Sequence, residues 1–541
     1  MRGGFIGPRP GMLKKVLSFD TGIETPFKSG GRFQHADFYD GNGYPALLSS
    51  HGGRLFHIGI PGFEVTEITP STGPNSSTQP IGWSTQAENY WIYQDNQSYP
   101  IIFNGASSRR SNPMRSEVPV GNVMAYTMGR LVVALPDRQS FRVGDLVFGA
   151  SGTPAFGYVD ALLRFTENNY LNEGGDFVAR VFGAPTNFGP ILSMKANEQT
   201  NTSLGQGPLI VGTPNVVFTV QLPFDRTVWK NLAQALQTAS PIKGPLGQRS
   251  TVSYNADLFY RALDGIRSYA QTNRQQQSTY DKTPISSELG DTLSFDTMSL
   301  LEHGSAAIFD RRLLMTISPV NSDMGVWHRG LVALDFNLSS GARKKMPPAW
   351  EDVWTGLRIL QLVPALVDRQ ERLFIYALNS LDEIELWELD LDAKFDEGQT
   401  AIRWTLDFPS YNCGDSDNFK RLETARMVVD NLVGDLNVTL KYRTDLNPCW
   451  QPWGTAERCA AFEDCGPFDC FGPKTLREQQ RTPIRFTMPP DTFDPINSHK
   501  YRTGYAFQPQ LSMEGYCQIQ SLRIYALDEP EQLGIDNRNP A

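Results

Sequence analysis

The chain has 541 residues, more than one ordinary domain requires, so two or three hydrophobic cores are expected. Hydrophobic residues make up 40% and charged residues only 20%, while 47 Gly and 37 Pro punctuate the chain, a mixture that favours many short strands over long helices. A net charge of −9 argues against a nucleic-acid binder held by a broad basic surface and leaves room only for a local basic patch.

Taken in chain order, the N-terminal stretch MRGGFIGPRPGMLKKVLSF has no continuous apolar core of signal-peptide length, and residues 1–20 read as an arm. No run of about 18 apolar residues occurs, so no membrane insertion is expected and the protein reads as soluble, made in a cytoplasm. Strand pairs then recur with turn chemistry between them. They begin with Gly53 to Ile60 and Tyr90 to Tyr93, followed by Val123 to Tyr126, GRLVVAL at 129–135 and FRVGDLVFG at 141–149. PLIVGTPNVVFTVQL breaks at Thr213-Pro214-Asn215, and SAAIFDRRLLMTI turns at Asp310-Arg311. HRGLVALDF follows at 328–336, and ERLFIYALNSLDEIELWEL breaks over Asn379 to Asp382.

In NADLFYRALDGIRSYAQTNRQ, Asp264-Gly265 reads as a tight turn. That turn would place Leu263 opposite Ile266, Arg261 opposite Ser268 and Tyr260 opposite Tyr269. Each face of the hairpin would then mix large apolar and polar groups, which suits a sheet covered on both sides by other sheets. Six or more such units, unevenly spaced by roughly 45 to 85 residues, depart from the regular period of a standard propeller family. The excess lies in polar loops such as 70–80 and 104–113. Helical periodicity is confined to 226–240, with Trp229, Leu232 and Leu236 on one face, and to 295–303.

Near Asp390 the texture changes to LDLDAKFDEGQT, a polar linker. Strands resume at Ala401 to Phe408, Thr424 to Val429, Leu436 to Arg443, Ile484 to Met488, Tyr505 to Met513 and Tyr516 to Ala526. The expected fold is therefore all-β. An irregular six- or seven-bladed β-propeller spans 21–397, and a C-terminal antiparallel β-sandwich spans 398–541 with a Cys-rich insertion at 449–478.

Motifs that carry chemistry are missing: the sequence has no GxxxxGK[ST], no GxSxG, no HExxH and no EF-hand loop. Gly149-Ala150-Ser151-Gly152 misses the nucleophile-elbow spacing by one residue and reads as a loop. The six histidines, at 35, 51, 57, 303, 328 and 499, are scattered, and His51 and His57 lack the i, i+4 spacing of a helical metal pair. The six cysteines, Cys413, Cys449, Cys459, Cys465, Cys470 and Cys517, all follow residue 412. Their spacing contains no CxxC, so separate thiols are expected, with disulfides or a four-cysteine metal site as the alternatives. Ser380, Asp382 and Trp387 stand where an Asp-box turn would place them, but Ile384 occupies the position that wants Gly. No catalytic, cofactor-binding or metal-ligating residue is assigned, and no cofactor is expected.

The phrases GRLVVALPDRQSFRVGDLVFG, RFTENNYLNEGG, PFDRTVWKNL, GQRSTVSYNADLFYRALDGIRSYAQTNRQ and GVWHRGLVALDF resemble tail proteins of tailed bacteriophages. The similar class is the β-propeller tail hub, or nozzle, proteins of short-tailed phages, together with virion proteins of environmental phages. The resemblance covers roughly residues 45–390, with an echo in LVGDLNVTLKYRTDLNPCW and EGYCQIQSLRIYA, and these are blade phrases, not catalytic ones. It implies a non-enzymatic virion protein, assembled in the host cytoplasm and placed in the tail. Its partners would be further copies in a ring, usually of six, with the adaptor or portal side above and fibres or spikes docked outside. DNA would pass through the lumen. Two alternatives stand beside it: a receptor- or carbohydrate-binding tail module using Trp404, Trp450 and Trp453, and a propeller glycosidase acting on host surface polysaccharide.

Overall fold

The computed structural model of the protein describes residues 6–146, 162–168, 181–184, 186–196, 208–220, 225, 236–240, 243–275, 283–336, 349–412, 414, 418–460, 481–488 and 503–528. It is all-β, with 55% strand and 8% helix. The chain divides into two compact units, Lys14–Glu388 and a second made of Met1–Leu13 with Leu389–Ala541. Residues 1–20, expected as an arm, carry the strands Gly11–Lys15 and Ser18–Phe19. The stretch 390–399, expected as a linker, is pinned: Asp396 accepts from Arg9 Nη1 at 2.8 Å, Arg9 Nη2 at 2.7 Å and the Met12 amide at 2.9 Å.

Small sheets build the unit Lys14–Glu388, antiparallel but for the parallel pair Ser18–Phe19 with Glu64–Glu67. Their opening strands are Phe33–Tyr39, Trp83–Ala87, Met124–Thr127, Ser193–Ala196, Thr251–Tyr254, Ala306–Phe309 and Arg358–Val367. The last two groups form one eight-stranded sheet, whose halves join at the pair His328–Ile359. Two-residue turns recur after the opening strand: Met128-Gly129, Asn255-Ala256, Asp310-Arg311 and Asp368-Arg369 all hold both residues at positive φ. This conformation matches the right-handed twist of the flanking strands, and Asn and Asp tolerate it better than branched residues do. The Asp310-Arg311 turn is where the sequence places it.

Neighbouring sheets share apolar cores. Leu258, Tyr260 and Ala262 pack with Ile210 and Val217 of the preceding sheet, whereas Phe259 and Ile266 pack with Leu313, Met315 and Val332 of the following one. Both faces of the strand Asp257–Ala262 are thus covered, which accounts for the mixed faces seen in its sequence. The opening strands also touch each other in chain order, and the seventh, Arg358–Val367, touches the first, Phe33–Tyr39. Lys14 and Lys15 bind Glu385 at 2.7 Å and Glu388 at 2.6 Å, tying the start of this unit to its last strand.

Two expectations are corrected here. The hairpin at 257–268 turns at Leu263-Asp264, with Ala262 opposite Gly265, Arg261 opposite Ile266 and Tyr260 opposite Arg267. The register shifts because the Asp264 carboxylate is held by Arg267, at 3.0 Å from Nε and 2.5 Å from Nη2, and because Gly265 serves another need. Gly265 has φ +144°, and a Cβ there would lie 2.5 Å from Ser286 Oγ and 2.9 Å from Pro284. Within 226–240, expected as a helix, Leu236–Ser240 is a strand pairing with Val217–Val220, and residues 226–235 lie outside the described residues. Met298–His303 is a short 3-10 helix.

The second unit contains one six-stranded antiparallel sheet. The segments Thr424 to Val429 and Leu436 to Arg443, expected as two strands, belong to a single strand Lys420–Thr444. Likewise Tyr505 to Met513 and Tyr516 to Ala526 are parts of Phe507–Asp528, which pairs with it over nearly its whole length. The apparent turn between the halves is a bulged bend, with register shifts between Asp430 and Asn437 and positive φ at Asn431 and Gly434. Gly515 permits it, since a Cβ there would stand 2.2 Å from the Asp435 carbonyl oxygen. Gln451–Cys459, expected inside an irregular insertion at 449–478, is a strand beside Asp435–Tyr442. Cys459 is disulfide-bonded while Cys449 and Cys517 are free, which corrects the expectation of separate thiols for Cys459. Cys413, Cys465 and Cys470 lie outside the described residues.

Gly265→Val should destabilise the unit Lys14–Glu388 by about 2–4 kcal/mol, because a branched side chain meets both the strained φ and the Ser286–Pro284 wall. Asp264→Ala, which takes a partly exposed carboxylate from the buried Arg267, should cost less, about 1–2 kcal/mol. Thermal melting of the two variants checks the order, and equal melting temperatures would contradict it.

Candidate functional site

Several opening strands carry backbone polar groups that the residues just ahead of Thr251–Tyr254 meet. Gln248 Nε2 donates to the carbonyls of Met194 at 2.8 Å and Met124 at 3.1 Å, and its Oε1 accepts from the Met194 amide at 2.7 Å. Arg249 Nη1 donates to Gln361 Oε1 at 2.8 Å and to the Gln34 carbonyl at 3.4 Å, and Nη2 reaches the His303 carbonyl at 3.4 Å. Gln361 completes the link: it accepts from the Ala36 amide at 3.0 Å and donates to the Ala36 carbonyl at 2.5 Å. Two adjacent side chains therefore bind the first, third, fourth and seventh opening strands. Burial pushes the Arg249 guanidinium down to about 10, with Glu302 opposing, so it stays cationic at neutral pH. Glu302 itself pairs with Arg138 at 2.9 Å.

One cluster has the residue types of a hydrolase. Ser84 Oγ lies 2.7 Å from His35 Nε2 and donates to Asp37 Oδ2 at 2.5 Å. Burial raises the Asp37 carboxyl, with the Ser84 hydrogen bond opposing, and drives His35 well below the usual imidazole range, with Arg249 contributing. The order, however, is Asp–Ser–His. The serine proton goes to the carboxylate, so neutral His35 donates from Nε2, and its Nδ1 is buried without a partner. A nucleophilic triad needs the imidazole between the other two, ready to take the hydroxyl proton. The cluster acts as a clamp between the strands Phe33–Tyr39 and Trp83–Ala87.

The residues singled out from sequence are dispersed. Gly149 to Gly152 lie outside the described residues. His51 is buried against Phe27, Phe33 and Phe56, and His57 packs near Phe103, so the two are in separate aromatic surroundings. The Asp382 segment is an Asx-type turn in which Asn379 Oδ1 accepts from the amides of Leu381 and Glu383, both at 2.9 Å. Trp453 belongs to the core of the second unit, Trp404 donates to the Gly515 carbonyl at 3.1 Å, and Arg443 covers Trp450 at 4.8 Å, so no shared aromatic platform forms. No group of three or more His, Cys, Asp or Glu suited to a metal occurs among the described residues. A cleft of about 280 Å³ is lined by Tyr99, Glu117, Arg142 and Phe165, but Glu117 is bound by Arg109 at 2.8 and 3.1 Å and by the Asn112 amide at 2.8 Å. None of the described helices is long and apolar enough to cross a membrane.

Sequence reasoning missed Gln34, Gln248, Arg249 and Gln361. No motif marks them; the only signal is four long polar side chains at or beside strands that are otherwise apolar. No family model and no curated protein matches the sequence. Among solved structures, the computationally designed Ika8 protein aligns with 69% of this chain and 99% of its own at 8% identity and a TM-score of 0.32, too distant to carry an argument.

Acid should weaken the unit Lys14–Glu388 selectively. His35, His51 and His328 are all at most 5% exposed. Burial drives His35 well below the usual range, His51 down to about 3 and His328 to about 4. An unfolded imidazole takes its proton near pH 6.5, so stability is complete above that value and falls as pH drops towards the folded pKa values. Each of the three should cost at most about 2 kcal/mol by pH 5. Melting temperatures between pH 7.5 and 5 check this, and a flat profile would contradict neutral buried imidazoles.

Proposed function

We propose that the chain is a structural, non-enzymatic component of a bacteriophage tail, a nozzle-type ring protein whose unit Lys14–Glu388 is a seven-bladed β-propeller. The observation that carries the propeller is the cycle of contacts: seven opening strands touch in chain order, and the seventh returns to the first. Cores shared between successive sheets and the pairing of Lys14 and Lys15 with the last strand support the same closure. The resemblance of the blade phrases to nozzle proteins supports the placement in a tail.

The polar centre bears on mechanism. Gln248 and Arg249 bond to strands of four of the proposed blades. In this reading the propeller axis is a closed hub, and the DNA path is the lumen enclosed by several copies. The His35–Ser84–Asp37 order and the dispersed tryptophans weigh against the glycosidase and carbohydrate-binding readings.

A ring uses two unlike patches on opposite flanks of each subunit, each burying upwards of roughly 800 Å² per partner. Native mass measurement and particle imaging of the protein with its adaptor should find a cyclic assembly, with six copies as the number the resemblance implies. A protein that stays monomeric beside its adaptor and cleaves or saturably binds host polysaccharide would overturn the proposal.

A further inference from the structure

The second unit exposes an arginine row that the overall acidity of the chain conceals. In the six-stranded sheet, Arg426 stands opposite Arg523 on one side and opposite Arg485 on the other, so three arginines from three strands occupy one line across the sheet. All three are exposed, while their strand neighbours Ala425, Met427, Ile484 and Phe486 are buried in the core and Leu522 and Ile524 pack against it. Alternation therefore puts the three guanidinium groups on the outer face. Register gives the flanking rows too. Tyr525, Thr424 and Thr487 lie on one side, and Ser521, Val428 and Pro483 on the other. This nine-residue face contains four hydroxyls and no carboxylate.

Like charges directly opposite one another on a sheet repel and destabilise it. Among the described residues no carboxylate pairs with Arg426, Arg485 or Arg523, and the nearby Glu423 is engaged by Arg421 at 2.8 Å. A row of this kind is costly to the fold and useful only to an anionic partner. A row that crosses three strands fits an extended ligand more than a small molecule. Neighbouring strands stand about 4.8 Å apart, so the row spans about 10 Å. Guanidinium forks match phosphate oxygens in pairs, and Ser, Thr and Tyr hydroxyls are usual phosphate donors.

We infer that this face of the second unit binds the phosphate backbone of duplex DNA through Arg426, Arg485 and Arg523. The contact carries no sequence information, because nothing on the face is placed to read base edges. With only three positive charges it is weak and strongly dependent on salt. It does not rest on the ring assembly proposed above: a ring that forms with an inert arginine row would leave that proposal standing and remove this one.

The test uses the full chain and a fluorescein-labelled duplex of about 20 base pairs, followed by anisotropy. Three neutralised phosphates give a slope of log K against log salt of about −2.7, so affinity should fall about 40-fold between 50 and 200 mM salt. Arg426→Gln should reduce the slope by about one, and the triple Gln variant should abolish binding while its melting temperature holds or rises. Binding that ignores salt, a triple variant that binds as the parent does, or a face that retains an acidic peptide or polysaccharide but not the duplex would overturn the assignment.

Discussion

Buried backbone groups need hydrogen-bond partners, and opening strands at the ends of their sheets carry groups that their own ladders do not bond. Six of the seven opening strands end their sheets and are bonded on one side only, while Arg358–Val367 also bonds across its sheet at His328–Ile359. Gln248, Arg249 and Gln361 answer that demand with long side chains, and Gln34 does the same for groups beside the opening strands. Gln34 alone donates to the carbonyls of Ser76 and Gln79 and accepts from Ser50 Oγ and the Gly53 amide, at 2.8 to 2.9 Å. An apolar filling would leave these groups unpaired at about 1–3 kcal/mol each, so the polar centre is a condition of the fold and no sign of catalysis by itself.

The same reasoning separates the His35–Ser84–Asp37 clamp from an active site. A catalytic imidazole is oriented by a carboxylate on one nitrogen and left free to receive a proton on the other. His35 has neither arrangement, and burial keeps it neutral through the physiological range. Ser84, bonded to both His35 and Asp37, connects adjacent opening strands, the same task that Gln361 performs between Arg358–Val367 and Phe33–Tyr39. Residue types alone suggested a hydrolase; the order of the hydrogen bonds argues for a fastener.

How much could be read from sequence depended on range. Local signals worked: Asp310-Arg311 is a two-residue turn because Asp tolerates positive φ, and the mixed faces of Asp257–Ala262 do mark a sheet covered on both sides. Local signals misled where a distant contact decided. Asp264-Gly265 has the composition of a turn, but Arg267 claims the carboxylate and the Ser286–Pro284 wall claims the glycine. The segment containing Asn431 and Gly434 looks like a loop between two strands. In the structure the opposing Gly515 lets the ladder bend there and continue. The centre itself was illegible, because Gln34, Gln248 and Gln361 meet only after the sheets have assembled.

The arginine row shows the same limit from the other side. Arg426, Arg485 and Arg523 lie 59 and 38 residues apart in sequence, within a chain of net charge −9, and no composition window brings them together. Pairing register does, because a one-residue slip in any of the three strands would turn its arginine into the core beside Met427, Ile484 or Ile524. The buried alternation thus fixes the exposed charge: the residues that hold the sheet in register are also those that force three like charges into line. In the unit Lys14–Glu388 assembly consumes polar groups, with the Gln248 amide and both terminal nitrogens of Arg249 bonded to their surroundings. In the second unit it lines up three guanidinium groups that no carboxylate among the described residues pairs, where like charges oppose one another across the sheet.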